Sequence, residues 1–151
     1  MGFFNSRLRY GICAAVDLAQ HPAQQACQSR EIAARQGIPG PYLDQILSAL
    51  KGAGVVKSIR GAGGGYSLAK SPDKISVGEI ARAMLRGDHL FSSSPEVVIS
   101  DISSPGSSWI VRSFEEDVEQ TLTRMLDSTT LADLAGQKAV LDDALSFMPG
   151  I

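Results

Sequence analysis

The residues best suited to chemistry lie in one short run, Ile59-Arg60-Gly61-Ala62-Gly63-Gly64-Gly65-Tyr66, where four glycines follow an arginine within six positions. Such a stretch can cradle a phosphate, free a linker, or form a hairpin tip that must approach another surface closely. A phosphate loop needs the GxxxxGK[ST] pattern and a helix opening behind it to aim its N–H groups. Here that pattern is absent, and the glycines lead into the strand-like Tyr66-Ser67-Leu68. A nucleotide-binding enzyme is therefore disfavoured. The two histidines, His21 and His89, stand in loop-forming surroundings without a nucleophile or carboxylate arrangement, so no catalysis is expected. The two cysteines, Cys13 and Cys27, lack CxxC spacing and make neither a disulfide framework nor a zinc site.

The flanks of the glycine run decide its meaning. Val55-Val56-Lys57-Ser58-Ile59 is rich in β-branched residues and Tyr66-Ser67-Leu68-Ala69 follows the glycines, which predicts two strands with a flexible tip. Upstream, Leu8, Ile12, Ala15, Val16 and Ala19 recur at helical spacing behind the candidate caps Asn5 and Ser6, predicting a first helix to about Gln20. Ser29 stands as a cap before a short second helix with Glu31 in its first turn and Gly37 past its end. Pro41 suits the first position of a third helix, whose Leu43, Ile46, Leu47 and Leu50 form one apolar face before Gly54 closes it. The outward face then carries Tyr42, Asp44, Gln45, Ser48 and Lys51. Two short helices joined by a glycine-containing turn make a helix-turn-helix, and a hairpin directly after it is a wing.

Charge supports this division. Residues 1–70 hold eight Lys/Arg against three acids, a net +5, whereas residues 71–151 hold six against thirteen, a net −7. A basic half joined to an acidic half suggests a nucleic-acid-binding module with a partner segment. No run approaches the ~18 apolar residues that span a bilayer, and no cleavable leader is recognisable, so a cytoplasmic protein without membrane contact is expected.

Beyond the wing, Ser76 and Glu79 have capping-box spacing with Ile75 and Ile80 at the staple positions. Val77, Ile80, Ala81 and Met84 face inward in the helix that follows, with Gly87 as its end. The Ser/Pro-rich stretch to Ser108 reads as a loop, with one short strand at Val97 to Ile99. Val111, Phe114, Val118, Leu122 and Met125 then form a stripe on a long acidic helix from about Ser108 to Leu126. Such a stripe suits pairing with a second copy, the alternative being packing on its own domain. Leu131, Leu134, Val140, Leu141 and Leu145 belong to one or two short helices that close the interface. The fold class is thus mainly α with a small β-wing: a winged helix-turn-helix domain at 1–86, a flexible loop at 87–108, and a dimerisation helix with a C-terminal helical segment at 109–151.

The string YLDQILSALKGAGVVKSIRGAGGGYSLAKSPDKISVGEIARAM, with the RYG opening of the first helix and the IAARQGI of the second, resembles the Rrf-type (IscR/NsrR/CymR) family of bacterial winged-helix transcription regulators. The likeness runs from about Arg7 to Leu85 and joins the wing to the S-V-G-E-I helix start in the family's order. It implies a homodimeric, sequence-specific regulator of double-stranded DNA, a repressor acting on a palindromic operator. Pro41, Tyr42, Asp44 and Gln45 match the start of the family's recognition helix, and Arg60 matches the wing arginine that enters the minor groove. Ser48 extends the reading face, and Gly61 begins the tip that lies along the sugar-phosphate wall. Arg7, Lys51 and Lys57 would contact phosphates, while Arg35 and Lys70 read as solvated charges.

One departure stands out. Cluster-binding relatives carry three cysteines between the fourth helix and the dimerisation helix, and residues 86–108 contain none. No cofactor is expected. The alternative is an atypically ligated iron-sulfur cluster, for which the only candidates are Cys13, close to a ligand position of some relatives, and His89. Ile12, Ala14 and Ala15 favour a core thiol at Cys13, and Cys27 matches an apolar position. A cluster-free adaptor working through a regulatory protein partner is the other reading left open.

Overall fold

Asn5 begins the first helix through its side chain, which accepts a hydrogen bond from the Leu8 N–H at 2.8 Å and so satisfies one of the free donors of α1 (Ser6–Ala19). The computed structural model describes residues 4–85, 105–148 and 150. In α2 (Ser29–Gln36) the cap is Gln28 rather than the expected Ser29, and the Gln28 N–H donates to Glu31 Oε2 at 3.0 Å. Gly37 ends α2 in the left-handed region at φ 63°, where a side chain would be strained. In α3 (Gly40–Gly52) Pro41 is the second helical residue, Gly40 the first. Leu43, Ile46, Leu47 and Leu50 are fully buried, so the predicted apolar face is the face that packs.

Strands β1 (Val56–Ile59) and β2 (Gly65–Leu68) pair antiparallel, Val56 opposite Leu68 and Ile59 opposite Gly65. The segment before α2 adds a bond pair that sequence reading did not foresee: Cys27 and Tyr66 exchange N–H to carbonyl bonds of 2.8 Å each. That contact explains one glycine. A Cβ on Gly65 would stand 2.4 Å from the Cys27 carbonyl oxygen.

After a 3-10 turn at Pro72–Lys74, the Ser76–Glu79 capping box forms as expected, with Glu79 N–H donating to Ser76 Oγ at 3.1 Å and Ser76 N–H to Glu79 Oε2 at 3.0 Å. It starts α4 (Val77–Leu85), and the staple residues Ile75 and Ile80 are both fully buried. Helix α5 (Pro105–Ser128) begins three residues before the expected Ser108, so residues 105–108 are helical rather than loop. A single helix, α6 (Leu131–Ser146), stands where one or two short ones were expected. The proposed helix end at Gly87, the strand at Val97 to Ile99, and His89 lie outside the described residues.

The core joins α1, α3 and α4, and α6 completes it through the fully buried Leu131. One charged pair lies inside. Asp17 of α1 is 2% exposed and accepts a fork from Arg35 of α2 at 2.9 and 2.8 Å, plus a bond from Gln36 at 2.9 Å. Arg35 is therefore no solvated charge: it fixes the first helix of the helix-turn-helix to α1. Burial pushes the Asp17 carboxyl up, but the bonds from Arg35 and Gln36 outweigh it and hold the group below its ordinary 3.8. Among the described residues, no helix is long and apolar enough to cross a membrane.

Candidate nucleic-acid interface

Burying Leu43, Ile46, Leu47 and Leu50 turns the opposite side of α3 to the outside. Asp44, Gln45, Ser48 and Lys51 are exposed there, as is Pro41 at the helix start. The first three line an open cleft of about 550 Å³ together with Ala49 and Ala83, whose short side chains leave room in front of the polar groups. A carboxylate accepts from the cytosine amino group, and a glutamine can engage an adenine edge through two bonds. Tyr42 departs from expectation: it is half-buried, with its ring edge-on to Tyr10 at 5.5 Å between centroids. The reason is visible in the spacing, since Tyr42 lies one turn before Ile46 and so borders the apolar stripe.

Lys57 on β1 and Arg60 just past it are exposed. The tip closes with the Gly64 N–H donating to the Gly61 carbonyl at 3.0 Å, Gly61 having φ 109°. A Cβ on Gly64 would meet the Ile59 carbonyl oxygen at 2.4 Å, whereas one on Gly63 would meet nothing within 4 Å. The structure itself thus requires Gly64 and Gly65 to lack side chains; Gly63 is small for no internal reason.

Lys51, Lys57 and Arg60 have no ion-pair partner among the described residues. Two other basic residues behave differently from expectation. Arg7, expected at phosphate, donates through Nε to the Met84 carbonyl at 2.9 Å, tying α1 to the end of α4. Lys70, read as solvated, pairs with the capping carboxylate of Glu79 at 2.7 Å. Arg30, outside the residues expected from the sequence, is exposed in the first turn of α2 and equally unpaired among the described residues. Its position was legible, because the first helix of a helix-turn-helix crosses the phosphate backbone.

Cys13 is half-buried and Cys27 is buried. Burial pushes the Cys27 thiol up despite the opposing charge of Arg35, which disfavours the thiolate.

Residues 4–137 match the family described as Rrf2, iron-dependent transcriptional regulator. CymR of Bacillus subtilis, an HTH-type transcriptional regulator, is 37% identical over 84% of this chain and 85% of its own. The solved structure of B. subtilis CymR, described as the global cysteine regulator of that organism, superposes with TM-score 0.70 at 34% identity, over 91% of this chain and 98% of the other. IscR of T. potens gives TM-score 0.67 at 37% identity, over 97% and 92%. Among the described residues no three His, Cys, Asp or Glu side chains gather as a metal site, and the chain has two cysteines, Cys13 and Cys27. The winged helix-turn-helix, the exposed face of α3 and these likenesses agree: the chain belongs to the Rrf2 family and is a DNA-binding transcription regulator, not an enzyme.

Proposed function

We propose that this chain acts as a homodimer on a palindromic operator, as a cytoplasmic repressor that works without a three-cysteine iron-sulfur cluster. The observation that carries the reading is the exposed face of α3, where Asp44, Gln45 and Ser48 open onto a cleft; Lys51 on the same helix and Lys57 and Arg60 at the wing are exposed and have no ion-pair partner among the described residues. Residues 1–86 would form the reading head, with Asp44, Gln45 and Ser48 at base edges and Pro41 and Tyr42 shaping the helix start. Arg60 would enter the minor groove as the tip at Gly61 follows the backbone. Lys51, Lys57 and Arg30 would bind phosphates.

Residues 109–151 would pair the heads. Val111, Phe114, Val118 and Met125 are exposed on α5, at 56%, 67%, 39% and 66%, and Leu122 is half-buried. An apolar row this open on a helix roughly 36 Å long supports burial against a second copy. Val140, Leu141 and Phe147 add exposed apolar surface on and just after α6. A regulatory protein partner, and the adaptor reading with it, would use that surface. Arg60→Ala should weaken binding to a selected duplex by about 1–3 kcal/mol with an unchanged Tm, measured by fluorescence anisotropy over a salt series. Unchanged affinity at every salt concentration would remove the wing from the account.

A further inference from the structure

Two helix starts meet at the base of α5. Ser76 and Thr130, which precede α4 and α6, form a single antiparallel bridge. The Val77 N–H donates to the Thr129 carbonyl at 2.9 Å, and the Leu131 N–H donates to the Ile75 carbonyl at 2.8 Å. Each donor belongs to the first residue of its helix, where no intrahelical acceptor exists. The crossing therefore satisfies two orphan donors reciprocally and joins the reading head to the C-terminal helices.

Asp127, in the last turn of α5, completes the joint. Its Oδ1 accepts from Arg82 Nη1 of α4 at 2.9 Å. The same oxygen lies over Gly78, where an added Cβ would stand only 1.9 Å from it. Gly78 is buried inside α4 and has no left-handed backbone to explain its type. Its missing side chain is a seat for the carboxylate, at the positive end of the α4 dipole. Helix α5 packs mainly on α4, so this seat lies where the angle between head and α5 is set.

We propose that Gly78, Arg82 and Asp127 form a clasp that fixes the angle between the reading head and α5, and through it the distance between the two recognition helices of the dimer. The inference rests on the dimeric reading above. Two-headed binding needs the protein's spacing to match that of the half-sites, so a small rotation at the clasp is magnified at α3. These three are positioning residues and reach no base. Gly78→Ala crowds the Asp127 carboxylate and the Arg82 guanidinium, the ends of two side chains rather than backbone, so the variant should fold and displace the pair.

The test compares the full native chain with Gly78→Ala and Asp127→Ala on three duplexes: a palindrome selected from a random library, the same palindrome with two base pairs inserted between half-sites, and an isolated half-site. Dimer mass is followed by sedimentation. Both variants should keep the native dimer mass and half-site affinity, lose about fivefold on the palindrome, and discriminate less against the insertion. Unchanged palindrome affinity and spacing discrimination in both variants would overturn the clasp. So would a parallel loss on the half-site, which marks a purely structural role. A native protein that binds the palindrome no tighter than the half-site would overturn the dimeric reading and the clasp together.

Discussion

At the scale of single residues, the pair Asp17–Arg35 shows how one fork of hydrogen bonds fixes the first helix of the helix-turn-helix to α1. The Asp17 side chain is 3% exposed while that of Arg35 is 39% exposed, so the two partners are not equivalent. Arg35→Ala leaves a buried carboxylate without its counter-charge, held only by the bond from Gln36, and should cost ~3 kcal/mol at pH 7, whereas Asp17→Asn leaves a guanidinium that can reach water and should cost about half as much. Because folding lowers the Asp17 pKa, its contribution is fully present above about pH 4 and is lost as pH falls through the lowered folded-state value. Asp17→Asn should therefore also flatten the acid limb of the stability curve measured by urea unfolding. Equal losses in the two variants, or an unchanged acid limb, would contradict the assignment. Nothing local announces this pair: the residues are 18 apart in the chain and meet only because α1 and α2 pack.

At the scale of elements, the wing separates two demands on glycine. Gly65 faces the Cys27 carbonyl and has no room for a methyl group, so Gly65→Ala should destabilise by ~2 kcal/mol and loosen the hairpin. Gly63 has free space, so Gly63→Ala should leave Tm within about 1 °C while weakening DNA binding, if the tip lies on the sugar-phosphate wall as proposed. Thermal melts with anisotropy on the same samples decide this, and a Gly63→Ala protein of native affinity would remove the close approach. The helix starts at Asn5 and Ser76, the apolar face of α3 and the hairpin were legible because each is written in neighbouring residues. The Cys27–Tyr66 bonds, the Arg7–Met84 bond and the Lys70–Glu79 pair were not, since each depends on which elements pack together. The cap of α2 shifted to Gln28 because the Glu31 carboxylate reaches back to the Gln28 N–H and the Gln28 carbonyl takes the Glu31 N–H.

At the scale of the whole molecule, the charge division and the open stripe on α5 together describe a reader that needs a second copy. The basic half carries the α3 face and the wing; the acidic half carries the long helix and its apolar row. Sequence periodicity foresaw that row but not how α5 and α6 attach to the head, because the crossing at Ser76 and Thr130 is made of backbone bonds that any side chains could accompany. Two heads related by a two-fold axis read two inverted half-sites. The most direct measurement is selection of duplexes from a random library by the full native chain, followed by sequencing of the enriched pool. The expected result is an inverted repeat whose half-sites lie about one helical turn, ~10 base pairs, or a multiple apart. A pool without enrichment, or one enriched for a single asymmetric half-site, would contradict it.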